Sequence, residues 1–367
     1  MMNLLLFLAT FLSAFAQSDW RPAADCRANI RAVACRVRAK LPGEQVKLVD
    51  DRVCQTPDEV LLVEIEKVHD LLPDKLRNMF CSLRRINLEE DDPGIAYTTV
   101  FIESYRDAQG VEMIRRYGFT LGLNMRRAFG DINEITSRKY QELIGREFRE
   151  ALLPAAPFPE VKARGVKGNV LLLTAIIHEF GHMLETANDL IYMTSRDCDF
   201  SQEDPHGANC RFLPGGVWAS LSWDDFKEIR AIDRIFGIGN LCFYDCVGGP
   251  ALKEDQLRKF FEKFIAHQNF VSAYAMASAV EDFAETFEHY VIGSVFNDSE
   301  RAVEFGIHFP ESGETRKISL NPSSDGRLGS KWRYMNDFWN SEWEYIPAPV
   351  ETRAMDIRLP PKGRDPL

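Results

Sequence analysis

His178-Glu179-Phe180-Gly181-His182 lies inside an apolar stretch, residues 170–184, and its reading decides how the rest of the chain is understood. In a helix, positions i and i+4 share one face, so both imidazoles can reach one metal ion with Glu179 beside them. Zinc takes neutral imidazole nitrogens in a tetrahedral site and, where it is catalytic, keeps one position for water. An adjacent carboxylate can take a proton from that water as general base. Leu171, Leu172, Leu173, Ala175, Ile176, Ile177, Phe180, Met183 and Leu184 cover most of the circumference, which predicts a buried helix. Its polar residues Thr174, His178, His182 and Glu185 fall at i, i+4, i+8 and i+11, a single stripe. A buried polar stripe needs partners, and a single zinc ion per chain with its ligands supplies them. A hydrogen-bonded core histidine pair is the plainer alternative.

Such a site needs a third protein ligand. A metzincin would carry Gly at position 185 and His at 188; this chain has Glu185 and Asn188, which excludes that class. About a hundred residues on, Val280, Phe283, Ala284, Phe287 and Val291 make one helical face, while Glu281, Glu285 and Glu288 share another. Like charges at i and i+4 disfavour a bare helix, so a row of carboxylates beside aromatics suggests a nearby cation. Equally, Ser278 and Glu281 read as a Ser-x-x-Glu capping box, with the remaining glutamates in solvent. Spacing leaves the two readings open.

HEFGH, then Tyr274, then Glu281-Asp282-Phe283-Ala284-Glu285 resembles the zinc peptidase domain of the anthrax lethal factor family. That family belongs to the gluzincins, the class that includes thermolysin. The resemblance covers two segments of some twenty residues each. It implies ligands His178, His182 and Glu281, and Glu179 as general base. It further implies that Glu285 orients a ligand histidine and that Tyr274 stabilises the oxyanion or acts as an acid. The fold it implies is α+β and zincin-like: an HExxH helix, a small mixed sheet and a mostly helical remainder, to which this chain adds a cysteine-bearing insertion. The longer interval between His182 and Glu281 departs from the family, so substrate preference does not carry over.

Composition bounds the rest. With 367 residues, 45% hydrophobic and 27% charged, the chain can bury one large domain or two small ones. Net charge is −11 and no basic tract occurs, which argues against nucleic acid as a partner. Residues 4–12 form a short apolar core, followed by small residues Ala14 and Ala16 before Gln17, the pattern of a secretory signal over 1–16. No apolar run long enough to span a membrane follows it. Eight cysteines, an even number, fit disulfides in an exported, secreted or periplasmic protein. Roughly a hundred connectivities are open to eight cysteines. Sequence neighbours suggest Cys26–Cys35, Cys54–Cys81, Cys198–Cys210 and Cys242–Cys246.

Residues 17–92 read as a mainly helical N-terminal region, with an amphipathic helix over 58–72 and a break at Pro73 before 75–83. A catalytic domain over 93–345 follows. Residues 96–104 are β-rich, and 117–125 alternate as a period-two strand, Tyr117, Phe119, Leu121, Leu123 and Met125 on one side. Gluzincins pair substrate backbone with an edge strand, for which 117–125 is the candidate; an ordinary internal strand is the equal alternative. Residues 143–152 read as a helix and 154–159 as a loop. The insertion 189–274 carries Cys198, Cys210, Trp218, Trp223, Cys242 and Cys246 and is expected to wall one side of the cleft. His206, His267, His289 and His308 read as structural or solvated. From 346 the chain is Pro-rich and expected to be a mobile tail. The expected activity is that of an exported zinc endopeptidase acting on a protein or peptide substrate. Two other classes stay open: a silent zinc-binding interaction module, and an amidase for cell-wall peptides.

Overall fold

In the computed structural model, which describes residues 22–39, 52–90, 94–106, 109, 112–129, 160–164, 169–194, 213–224, 229–230, 234, 254–267, 269–296, 304–309, 313–317, 327–346 and 350–353, the first element is helix α1 (Cys26–Val33). The Asp25 carboxylate caps it by accepting from the Ala28 N–H at 2.9 Å. Strand β1 (Ala34–Ala39) follows without a break and pairs antiparallel with β2 (Arg52–Gln55). Helix α2 (Glu59–Leu71) is the amphipathic helix expected there, and Pro73 separates it from the short α3 (Asp74–Arg77). A 3₁₀ turn, Asn78–Ser82, leads into β3 (Leu83–Glu89). Strands β4 (Ala96–Arg106) and β5 (Glu112–Asn124) form a long antiparallel hairpin.

Strand β3 lies parallel to both β1 and β5, so the N-terminal region inserts its strands into the same sheet as the hairpin. It is helical in part, as expected, but β1, β2 and β3 are integral to the sheet. On β3 and β5, Ile86 and Leu88 and then Phe119, Leu121 and Leu123 alternate with the buried polar residues Asn87, Glu89, Thr120 and Asn124, so both faces of these stretches are covered. The stretch 117–125 is therefore the internal strand of the two alternatives, flanked by β3 and β4. Among the described residues the outer strand beside it is β4.

Strand β6 (Glu160–Arg164) precedes helix α4 (Val170–Ala187), which carries the HEFGH run. Asn169 caps α4 by accepting from the Leu172 N–H at 3.0 Å. After α4 come the paired strands β7 (Tyr192–Thr194) and β8 (Leu213–Gly215), then the short helix α5 (Ala219–Ser222) and helix α6 (Glu254–His267). Helix α7 (Ala279–Tyr290) follows a 3₁₀ turn, Tyr274–Met276. Strands β9 (Glu304–Phe309) and β10 (Glu314–Lys317) join β6 in a separate three-stranded sheet. Helix α8 (Arg327–Asn340) then packs on α7. Strand β11 (Val350–Arg353) closes the described chain by pairing with the start of β5. That pairing places part of the expected tail in the sheet; residues 354–367, the signal-like segment, 143–159 and Cys198, Cys210, Cys242 and Cys246 lie outside the described residues.

Among the described residues the disulfides differ from the expected Cys26–Cys35 and Cys54–Cys81 pairs. They join Cys26 to Cys81 and Cys35 to Cys54, with Cα separations of 4.4 and 5.3 Å. The reason is mechanical. Helix α1 begins at Cys26 and ends at Val33, and its rigid length keeps Cys26 away from Cys35 on β1, so neither can close on the other. Cys26 instead meets the 3₁₀ turn, and Cys35 meets the adjacent strand β2, whose Cys54 sits opposite Val37. One continuous core joins Ile30 and Phe80 to Leu121, Ile176 and Phe180 and on to Phe283, Phe287 and Met335. Among the described residues no helix is long and apolar enough to cross a membrane.

Candidate metal centre

Helices α4 and α7 pack side by side, and one glycine sets how closely. A Cβ at Gly181, inside HEFGH, would stand 3.0 Å from the Ala284 Cα and 3.4 Å from its Cβ. With hydrogen there instead, the helices approach until the polar stripe of α4 meets the carboxylate row of α7. Ser278 starts α7 by accepting from the Glu281 N–H at 3.2 Å, as the capping box requires. The Glu281 carboxylate, however, turns toward α4 rather than into solvent.

Three atoms then converge. His178 Nε2 and His182 Nε2 are 3.2 Å apart, and Glu281 Oε2 lies 3.3 Å from the first and 3.4 Å from the second. A tetrahedral ion with arms of about 2.0–2.1 Å spaces its ligand atoms about 3.3–3.4 Å apart. The triangle has those dimensions, so this His/Glu group can hold a metal ion. All three side chains are largely buried, at 12%, 17% and 12% exposure.

The far side of His178 is occupied by two more carboxylates. Its Nδ1 lies 3.3 Å from Glu285 Oε1 and 3.6 Å from Glu288 Oε2. His178, Glu285 and Glu288 form a second, buried cluster with metal-ligand spacing. One imidazole discriminates between the two. A neutral ring carries its proton on one nitrogen, and two carboxylates at Nδ1 favour the proton there, which leaves the Nε2 lone pair for a metal. Glu285 is itself anchored, since Ser272 Oγ donates to its Oε2 at 2.5 Å. The Tyr274 hydroxyl donates to Glu281 Oε1 at 3.1 Å, and its ring centroid lies 6.3 Å from that of His178.

The electrostatics favour positive charge at this point. Burial pushes the His178 imidazole down, but the carboxylates of Glu281, Glu285 and Glu288 outweigh it and hold it well above its usual range. Burial alone would raise Glu281; the two imidazoles reverse this and hold it well below the usual carboxylate range.

Each sequence-derived site residue can now be placed. His178, His182, Glu281, Glu285 and Tyr274 meet, and Glu179 is buried on α4 next to His178. Thr174, part of the same stripe, does not join them; its hydroxyl donates to the Leu171 carbonyl at 3.0 Å. His289 is a core histidine, 4% exposed and 2.9 Å from the Glu285 carbonyl oxygen. Ser272 and the contact of Glu288 were missed. Glu288 was visible as the third member of the acidic row, whereas Ser272 carries no local signal. Compared with known proteins, the chain matches no family model, no curated protein and no solved structure.

Proposed function

We propose that this chain is an exported zinc-dependent endopeptidase in which His178, His182 and Glu281 hold the ion and Glu179 is the general base. The observation that carries the reading is the His178–His182–Glu281 triangle, whose 3.2–3.4 Å edges suit a tetrahedral ion. Two nitrogens and one carboxylate oxygen favour zinc over calcium or magnesium, which take oxygen ligands. When bound, zinc supplies Lewis acidity for the scissile carbonyl and lowers the pKa of a water in the open position.

The chain's own residues do the remainder. The Glu179 carboxylate accepts a proton from the attacking water and returns it to the leaving amine, so both transfers run through one side chain. The Tyr274 hydroxyl, already directed at the Glu281 carboxylate, is placed to donate to the developing oxyanion. Glu285, whose Oε1 lies 3.3 Å from His178 Nδ1, would hold that ring in its orientation. Strand β4 packs against α4 and is the outer strand of its hairpin among the described residues, so an extended substrate would add to β4 rather than to β5. The paired cysteines suit export.

The experiment is metal analysis and casein digestion on purified protein. About one zinc per chain and cleavage are expected. Glu179→Gln should keep the metal and lose about 10²–10⁴-fold in rate. Glu281→Ala should lose the metal. Retained zinc in that variant would remove residue 281 from the ligand set, and full activity in Glu179→Gln would remove the base. Zinc without casein cleavage, but with cleavage of cell-wall peptides, would replace the endopeptidase by an amidase.

A further inference from the structure

Beside the ligand helix lies a second polar cluster that the proposed chemistry does not use. Asp282 and Lys331 are both fully buried, with Lys331 Nζ 2.7 Å from Asp282 Oδ2 and 2.9 Å from Oδ1. Trp223 Nε1 donates to Asp282 Oδ2 at 2.9 Å, and Thr286 Oγ1 lies 3.4 Å from Oδ1. The same ammonium donates to the Asn269 carbonyl at 3.0 Å and sits 3.8 Å from the centroid of the Phe270 ring. Removing both charges from water costs more than their attraction returns unless geometry is the gain, so such pairs are poor devices for stability alone.

What the ammonium joins is informative. Asp282 follows Glu281 on α7, and one residue is about 100° of helix, so the pair grips α7 on the face next to the metal-directed carboxylates. Asn269 begins the segment that delivers Ser272 to Glu285 and Tyr274 to Glu281. Lys331 comes from α8, a third element. A single charge therefore fixes the ligand helix and its supporting segment to one frame.

We propose that the buried Lys331–Asp282 pair is a positioning device for the metal centre, holding the 269–274 segment in register with Glu281 and Glu285. This rests on the reading of His178, His182 and Glu281 as ligands. It differs from a purely structural role in one respect: an apolar replacement of matching size would keep the fold and loosen the site.

The test is the double variant Asp282→Leu/Lys331→Met. Its far-UV circular dichroism and melting temperature should equal or exceed the wild type. Zinc affinity of the folded protein should fall about 10–100-fold, as for loss of outer-shell support. The absorption spectrum of the cobalt-loaded form should change, and amide exchange over 269–281 should quicken in the metal-free protein. A folded double variant with wild-type zinc affinity, cobalt spectrum and exchange would overturn the proposal. Should the double variant fail to fold, Asp282→Asn, which keeps the shape, takes its place: weaker zinc binding by the folded protein supports positioning, and wild-type affinity refutes it. If the wild type itself binds no zinc, the ligand reading fails separately, while amide exchange still decides whether the pair orders 269–274.

Discussion

The two ring nitrogens of His178 face different surroundings, with His182 and Glu281 at Nε2 and Glu285 and Glu288 at Nδ1. Which nitrogen can bind a metal is thus decided by the carboxylates behind the ring rather than by the ring itself. Glu185, two turns further along α4, illustrates the opposite case, a carboxyl buried without such compensation. Burial pushes it up to about 7 from 4.5, against opposing contributions from His182 and Thr186. A carboxyl raised in the folded state holds its proton longer there than in the unfolded chain. Stability must therefore fall as pH rises through the window from 4.5 to about 7 and stay low above it. At about 1.4 kcal/mol per pH unit, the loss at pH 8 is on the order of 3 kcal/mol. Glu185→Gln should remove it. In metal-free protein the variant is expected to match wild type near pH 4 and to exceed it near pH 8 in chemical denaturation; an equal difference at both would show that Glu185 is not the titrating group.

At the scale of elements, the site is an interface between two helices. The sequence made α4 and the start of α7 legible, because apolar periodicity, the Ser278 cap and the acidic row are local signals. It did not reveal the Gly181–Ala284 contact, which exists only once the helices meet. Gly181→Ala would force α7 outward by some tenths of an ångström, since the nearest atom is backbone and cannot rotate away. We expect a stability loss of about 1–3 kcal/mol by overpacking, and weaker zinc binding as Glu281 recedes. Thermal unfolding with zinc titration measures both, and a variant unchanged in each would mean that the contact does not set the helix spacing. The hairpin teaches a similar lesson. Alternation identified β5 as a strand, yet edge and interior strands share that pattern, and only the neighbours on either side made it internal.

Over the whole molecule, the N-terminal region and the metal-site helix share one core. Phe80 and Phe180 meet edge to face with ring centroids 5.0 Å apart, although Phe80 precedes the β4–β5 hairpin and Phe180 belongs to HEFGH. Strand β3 adds the same coupling through the sheet, and Cys26–Cys81 ties α1 to the turn that carries Phe80. Phe80→Ala should therefore cost about 3–5 kcal/mol and lower the single unfolding transition of the whole described core. Calorimetry resolving two transitions, only one of them moved by the substitution, would separate the N-terminal region from the site.

Local chemistry alone determined the helix that carries both histidines, the residue types of the candidate metal site, the capped start of α7 and the presence of paired cysteines. These follow from spacings within a few residues, where helical geometry leaves little choice. Tertiary structure alone decided that the carboxylate of Glu281 closes on His178 and His182, that Cys26 pairs with Cys81, that β4 lies outside β5, and that Lys331 meets Asp282. Each of these joins residues far apart in the chain. Such contacts depend on how rigid elements pack, and packing is a property of the assembled core that no short stretch of sequence contains.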